Sequence, residues 1–247
     1  MILLSGVNGY YYGFGRGIYG WGFDPTYLLA ILGLVLTLIA SANVRATFNR
    51  YSKVRTHSGM TGAMAAEQVL HACGIYNVAI QRVSGDLTDH YDPRSKTLRL
   101  SDSTYGSASV AAVCVAAHEC GHAVQDQVQY GPLVLRSTLV PAANFGSTLA
   151  WPIFIFGLIF SLRPLVLAGI VLFLLAVVFQ LVTLPVEFNA SSRALKILRD
   201  HQMLSGDELS GGRKVLRAAA MTYVAALASS LLQLLRLILL ARRNDRD

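Results

Sequence analysis

Charged residues are scarce in this sequence: they account for 14% of its 247 residues, whereas hydrophobic residues account for 53%. A soluble domain carries about 25% charged residues, so this composition indicates an integral membrane protein. Cysteine is scarcer still, because only Cys73, Cys114 and Cys120 are present and no pair has Cys-x-x-Cys spacing. Three isolated cysteines argue against a disulfide framework and suit a reducing compartment.

Acidic residues are in the minority, so the formal net charge is +7. Basic side chains beside membrane segments face anionic lipid headgroups, and this explains most of the excess without a nucleic acid. We therefore expect the lipid bilayer as a partner of the basic residues and expect no nucleic acid.

Long apolar runs, by contrast, are frequent. A membrane-spanning helix needs about 20 predominantly apolar residues, and the clearest run covers residues 165–184, where Gln180 is the only amide or charged side chain. Three further runs are less clear: residues 27–42, 133–162 and 218–240. Arg163-Pro164 predicts a tight turn. The fold class we expect is a mainly α-helical integral membrane protein with about four transmembrane helices.

The most informative motif is His118-Glu119-Cys120-Gly121-His122, which has the pattern H-E-x-x-H. Positions i and i+4 lie on one face of a helix, so both imidazoles can bind the same zinc ion. Glu119 would then lie beside the open position of the metal, where it can accept a proton from water. A helix over residues 109–129 is predicted, with Ser107 or Ser109 as its N-cap.

A catalytic zinc needs a third protein ligand, and the sequence offers six candidates: Glu187, His90, His201, His71, His57 and Asp126. Glu187 is favoured because it follows the clearest span, where a carboxylate is costly without a partner. A helix over residues 186–201 is predicted to carry it. Arg193, further along this helix, is a candidate donor to an oxyanion.

The polar region between the first two spans predicts a small α+β unit. A helix is expected over residues 61–73, a strand over 75–83, and a hairpin that pairs 87–91 with 97–100. An exposed strand edge can hold an extended peptide by main-chain hydrogen bonds. We therefore expect His90 and Tyr91 to contact substrate.

Basic residues predict the orientation in the membrane, because cytoplasmic loops carry an excess of Lys and Arg. They cluster after the first span and before the last one: Arg45, Arg50, Lys53, Arg55, Arg193, Lys196, Arg199, Arg213, Lys214 and Arg217. A multi-pass protein of the cell membrane with its catalytic site facing the cytoplasm is therefore expected. Arg242, Arg243 and Arg246 run against this assignment, because they would lie outside.

Three segments of the chain resemble the YugP-type membrane zinc metallopeptidases: the H-E-x-x-H motif, residues 87–94 and residues 184–193. That family is similar in plan to the HtpX and CAAX-prenyl protease group. The resemblance implies that Glu187, on a later helix, is the third ligand. It also places Ser191 where the group has an aspartate, so a ligand histidine would be oriented by Asn189, Ser191 or an acid such as Asp89.

These expectations divide the chain into six parts. They are a glycine- and aromatic-rich extension (1–23), a first transmembrane helix (24–43), a zincin-like catalytic region (44–132), two membrane helices (133–184), a cytoplasmic helical segment with the third ligand (185–217), and a last membrane helix with a tail (218–247). No function is assigned to the extension.

The function we predict is a zinc metalloendopeptidase that hydrolyses membrane or membrane-proximal polypeptides at the cytoplasmic face. His118, His122 and Glu187 would hold one Zn²⁺ per chain, with Glu119 as the catalytic residue. One alternative is an intramembrane protease with a distant aspartate as third ligand. Another is a non-catalytic membrane scaffold or quality-control partner that uses zinc as a structural clip. Self-association of the chain stays open.

Overall fold

A computed structural model describes residues 24–244, which form seven helices and three strands. The predicted extension of residues 1–23 and the tail residues 245–247, with Arg246, lie outside this range. The helices are α1 (Tyr27–Tyr51), α2 (Gly62–Ala72), α3 (Asp102–Tyr105), α4 (Val110–Gln127), α5 (Gly131–Ile159), α6 (Arg163–Asp200) and α7 (Gly206–Asn244). The strands are β1 (Ala79–Val83), β2 (His90–Asp92) and β3 (Thr97–Ser101).

Four helices, α1, α5, α6 and α7, are long and apolar enough to cross a membrane. Large apolar side chains such as Leu34, Ile39 and Val171 are exposed on their outer faces, as expected where lipid replaces water. The prediction of a mainly helical chain with four candidate spans and a small mixed sheet is therefore confirmed.

The long helices continue past the boundaries drawn from the sequence. α6 passes through Pro185 without a break and carries both the clearest apolar run and the segment 186–201. An internal proline removes one backbone hydrogen bond, but packing on both sides keeps the helix continuous. Likewise, the boundary expected at 217/218 falls inside α7.

The small polar region lies at one end of these helices. α1 and α6 end there, α5 and α7 begin there, and α4 packs against all four. The tight turn was expected at Arg163-Pro164, but these two residues form the first turn of α6, because proline is well accommodated at the start of a helix. The turn that joins α5 to α6, at the opposite end, comprises residues 160–162. Arg236 interrupts the apolar part of α7, where its guanidinium lies 4.3 Å from the ring centroid of Tyr27 and 5.8 Å from that of Trp151. These cation–π contacts help to offset the cost of its burial.

The core of the polar region surrounds α4. Val113, Ala116 and Ala117 of this helix are fully buried, against Val69 of α2 and Leu198 of α6. Burying one such Val or Leu side chain contributes about 1.5–3 kcal/mol. The helix therefore has little freedom to rotate, and the residues on its other face keep a fixed direction.

The predicted N-cap of α4 and the predicted hairpin are present. The Ser109 side chain accepts a hydrogen bond from the backbone N–H of Ala112 at the start of α4, and Thr61 caps α2 in the same way through Met64. The sheet has the order β1-β3-β2, with β1 parallel and β2 antiparallel to the central strand. Among the described strands, β2 therefore has a free edge.

Gly121 lets α4 approach α6 closely. A Cβ atom at this position would lie 2.6 Å from the backbone carbonyl oxygen of Ala190, a distance at which one helix must move. The glycine between Cys120 and His122 is therefore required by helix packing.

We predict that Gly121→Ala destabilises the protein by roughly 1–3 kcal/mol, because the added methyl group overpacks a helix–helix contact. The melting temperature of the detergent-solubilised protein, followed by circular dichroism, measures this. Gly106→Ala is the matched control, since a Cβ there would meet nothing within 4 Å. Equal melting temperatures for the two variants would contradict the packing argument.

Candidate metal centre

Three predicted ligands converge where α4 packs on α6. The ligand atoms of His118, His122 and Glu187 all lie within 4.8 Å of one another. Oε2 of Glu187 is 3.3 Å from Nε2 of His118 and 3.6 Å from Nε2 of His122. The two imidazoles meet because i and i+4 share one helix face, and the carboxylate joins them from a helix that is distant in sequence.

The surroundings of these side chains fit a cation. Glu187 is only 2% exposed, and its Oε2 atom has no hydrogen-bond partner among the described residues. A buried carboxylate oxygen without a partner is costly. Burial lowers the pKa of His122, but the carboxylates of Glu187 and Glu119 raise it by more, so the site favours positive charge. Two imidazoles and one carboxylate are a common ligand set of catalytic zinc.

Hydrogen bonds on the far side of each imidazole orient its Nε2 atom toward Glu187. Ser191 Oγ lies 3.1 Å from Nδ1 of His118. Gln125 Oε1 lies 3.0 Å from Nδ1 of His122. Because the Gln125 amide nitrogen donates to the backbone carbonyl of Val186 at 2.8 Å, its oxygen must accept from His122. His122 is therefore protonated on Nδ1, which leaves Nε2 free to bind a metal.

Gln125 is fully buried and belongs to a longer network. Its amide nitrogen also donates to Oδ1 of Asn189 at 3.0 Å, and the same oxygen accepts from Nε of Arg193 at 2.7 Å. Two residues singled out from the sequence, Asn189 and Arg193, thus support His122 through Gln125. Sequence reasoning missed Gln125 itself, and the available signal was a glutamine one helical turn beyond the second histidine.

Glu119 projects into a cavity of about 200 Å³ that also exposes His118 and Glu187. Burial raises the pKa of the Glu119 carboxyl above its usual value, and the nearby imidazoles oppose that shift. A carboxylate with raised basicity beside the ligands is suited to accept a proton.

The walls of this cavity come mainly from α1 and α7. Val44 and Phe48 line it from α1, and Val215, Ala219 and Tyr223 line it from α7. Leu87 and Asp89, just before β2, form another part of the wall. The sequence placed Leu87 in the hairpin whose edge was expected to contact substrate, but Tyr223 was not named, because nothing local in the sequence indicates that α7 faces the motif.

His90 and Tyr91, which we expected to contact substrate, do not line the cavity. His90 is exposed on β2, with its Nδ1 2.9 Å from the carbonyl oxygen of Thr88. The Tyr91 hydroxyl donates to Asp126 at 2.7 Å, which fastens β2 to α4, and burial together with this carboxylate raises the pKa of Tyr91. Asp89 holds its loop by accepting from the backbone N–H and hydroxyl of Ser101, both at 2.8 Å.

The remaining candidates for the third ligand do not join the two imidazoles. Within residues 24–244, the group that could hold a metal contains His118, His122 and Glu187, and no fourth His, Cys, Asp or Glu completes it. A structural zinc site is normally closed by four protein ligands, whereas a catalytic site keeps one position open. The three-ligand arrangement therefore favours catalysis over a structural clip.

We predict that Gln125→Leu and Ser191→Ala each lower zinc affinity by about 10–100-fold, because each leaves one ligand histidine without its orienting partner. Competition with a fluorescent zinc chelator measures the affinity. Ser192→Ala is the matched control, since Ser192 is exposed beside Ser191. Wild-type affinity in both test variants would show that these contacts do not orient the ligands.

Comparison with known proteins agrees with the geometry. Residues 26–242 match the sequence profile of a family described as "Putative neutral zinc metallopeptidase". The chain is 47% identical over 219 residues to the "Putative membrane protease YugP" of Bacillus subtilis (strain 168), a match that covers 89% of this chain and 97% of that protein. No solved structure matches. The chain therefore belongs to this family of membrane zinc metallopeptidases.

Proposed function

We propose that this protein is a zinc metalloendopeptidase of the cell membrane that cleaves membrane or membrane-proximal polypeptides at the cytoplasmic face. The observation that carries the proposal is the convergence of His118, His122 and Glu187 with Glu119 beside them. The family of the chain supports the zinc peptidase chemistry. The open fourth position argues against the scaffold alternative.

His118, His122 and Glu187 would hold the metal. When bound, zinc supplies Lewis-acid polarisation of the scissile carbonyl and lowers the pKa of water to about 7. The chain contributes orientation: Ser191 and Gln125 fix the two imidazole rings, and Arg136, whose Nη1 atom is 3.6 Å from Oε1 of Glu187, holds the carboxylate. Ligands fixed in this way need little rearrangement when substrate arrives.

Glu119 would move the protons. Its carboxylate accepts a proton from the attacking water and then donates that proton to the departing amine. Burial favours the first step, because it raises the pKa of the carboxyl and so makes the carboxylate a better proton acceptor.

Tyr223 is the side chain we propose as hydrogen-bond donor to the carbonyl oxygen as negative charge develops there. It lines the same cavity as Glu119 and Glu187 and faces both carboxylates. A positioned donor of this kind contributes about 2.7–4 kcal/mol in other enzymes. Arg193, the donor expected from the sequence, is instead bonded to Asn189, so we assign it a supporting role.

The substrate backbone would extend the sheet at the free edge of β2. Leu87 and Asp89, which precede this strand, line the cavity beside the ligands. A peptide paired with residues 87–90 would reach Glu119 with its scissile carbonyl. His90 would lie along this edge, while Tyr91 holds the strand against α4.

The charge distribution supports a cytoplasmic active site. Arg50, Lys53, Arg213 and Lys214 all lie at the end of the long helices that carries the polar region. Arg163, with the α5–α6 turn, and Arg242 and Arg243, in the last turn of α7, lie at the opposite end, so the larger number of cations is on the side of the polar region. An excess of cations on one side marks the cytoplasmic side.

The orientation is tested by adding one cysteine to a Cys73→Ser protein, either Ser95→Cys between β2 and β3 or Ser161→Cys in the α5–α6 turn, both at exposed positions. In right-side-out membrane vesicles, a membrane-impermeant maleimide should label Ser161→Cys at once and Ser95→Cys only after lysis. The Cys73→Ser protein gives the background, because its remaining cysteines, Cys114 and Cys120, are buried. The reverse labelling pattern would place the site outside.

We predict that Glu119→Gln retains zinc and loses about 10²–10⁴-fold of the cleavage rate, because the proton acceptor is gone while the ligands are intact. Glu187→Ala should lose both zinc and activity. The measurements are metal content by mass spectrometry and hydrolysis of fluorescent casein by the purified, zinc-loaded protein. Glu67→Gln, at an exposed position on α2, is the control. Full proteolysis by Glu119→Gln would remove the enzymatic assignment.

A further inference from the structure

A second cavity lies beside the metal centre, between α6 and α7. It has a volume of about 470 Å³, and Ser191, Leu216 and Ala220 line both it and the cavity that contains Glu119. Ser191 also contacts the ligand His118. The two cavities therefore meet at the shell of side chains around the metal ligands.

This second cavity, called the basic groove below, is lined by four cations: Lys196, Arg199, Arg213 and Arg217. Asp200, at the end of α6, accepts hydrogen bonds from Lys196 at 2.8 Å and from Arg199 at 3.0 Å. Arg213 and Arg217 are exposed and form no ion pair with another described residue. The groove therefore keeps an excess of positive charge.

Glu208, in the first turn of α7, is engaged by backbone groups and not by these cations. The carboxylate of Glu208 accepts hydrogen bonds from the backbone N–H of His57 at 2.7 Å and from that of Ser205 at 3.4 Å. It is only 7% exposed, so its role is to fasten the start of α7. Apolar side chains of Phe188, Leu195 and Leu209 form the rest of the groove.

The length of the groove matches a short stretch of extended peptide. Arg199 lies about two helical turns beyond Ser191, which is roughly 12 Å along α6 at 1.5 Å per residue. An extended chain advances about 3.3 Å per residue. A peptide that passes the metal ligands would therefore bring a side chain some three to five residues from the scissile bond among the four cations.

We propose that the basic groove binds acidic side chains of the polypeptide substrate, so that the enzyme prefers Glu or Asp about three to five residues from the bond it cleaves. This rests on the proposed peptidase function. The anionic headgroup of a lipid is the rival occupant. Peptide is favoured because the groove shares Ser191, Leu216 and Ala220 with the cavity of the metal ligands. Arg50 and Lys214 line a neighbouring cavity that shares Arg217 with the groove but contains none of the residues around the metal ligands.

The test uses pairs of fluorogenic peptides whose members differ only in carrying Glu or Gln three to five residues from the scissile bond. In one pair the changed residue precedes the bond, and in the other pair it follows the bond. The zinc-loaded, full-length protein is assayed in neutral detergent without lipid. We expect a roughly five- to tenfold higher kcat/KM for the Glu peptide on one side, as two ion pairs of modest strength would give. The difference should lie in KM and should shrink as salt is added.

The double variant Arg213→Gln/Arg217→Gln should lose this preference, and Lys214→Gln, a cation of the same helix that does not line the groove, should keep it. Equal cleavage of both peptides by the wild type would overturn the proposal, and so would a preference that survives in the double variant. If phosphatidylglycerol changes the rate through Arg213 and Arg217 while the peptides are not distinguished, the groove is a lipid site and the proposal fails.

A measurement of peptide binding can test this proposal independently of the assignment as a peptidase. Fluorescence anisotropy with the Glu119→Gln variant should show tighter binding of the Glu peptide by a similar factor, whether or not the peptide is cleaved. Selective binding without any cleavage by the wild type would support the groove and refute the proposed function. Cleavage by the wild type without selective binding would support the proposed function and refute the proposal for the groove.

Discussion

The buried carboxylate of Glu187 is the constraint around which the functional end of this protein is arranged. One of its oxygens faces the Nε2 atoms of His118 and His122 and has no other partner among the described residues. Such an oxygen is stable only if positive charge lies nearby. The close contact at Gly121 and the hydrogen bonds of Gln125 hold α4 against α6. Glu187 on α6 is thereby kept close to the two imidazoles on α4.

The helices of the membrane region act as the scaffold of the catalytic site. α6 carries Glu187 in the same continuous helix as the most apolar run of the chain, so the ligand is held by packing along the whole bundle. α1 and α7 supply most of the cavity wall beside Glu119. This arrangement supports our proposal that the site acts on membrane or membrane-proximal polypeptides, because helices long and apolar enough to cross a membrane carry part of the site.

The end of the molecule that contains the polar region carries more cations than its acids can pair with. Several acids are engaged within the fold: Asp126 pairs with Lys96 and Tyr91, and Glu208 binds backbone N–H groups. Cations such as Arg213 and Arg217 are left without ion-pair partners among the described residues. We propose that this excess of positive charge both orients the helices in the membrane and attracts acidic segments of a substrate toward the metal centre.

Features that depend on neighbours along the chain can be predicted from the residues alone. These are the four apolar helices, the serine cap of α4, the hairpin of β2 and β3, and two imidazoles on one helix face. The third ligand could be limited to six candidates, and Glu187 was favoured among them because a carboxylate at a membrane boundary needs a partner. Three features became apparent from the packing of the helices: Gln125 orients His122, Tyr223 faces the cavity, and α6 continues through Pro185. These depend on how distant helices are rotated and how closely they approach, which is set by side-chain packing between them and leaves no periodic trace in the sequence.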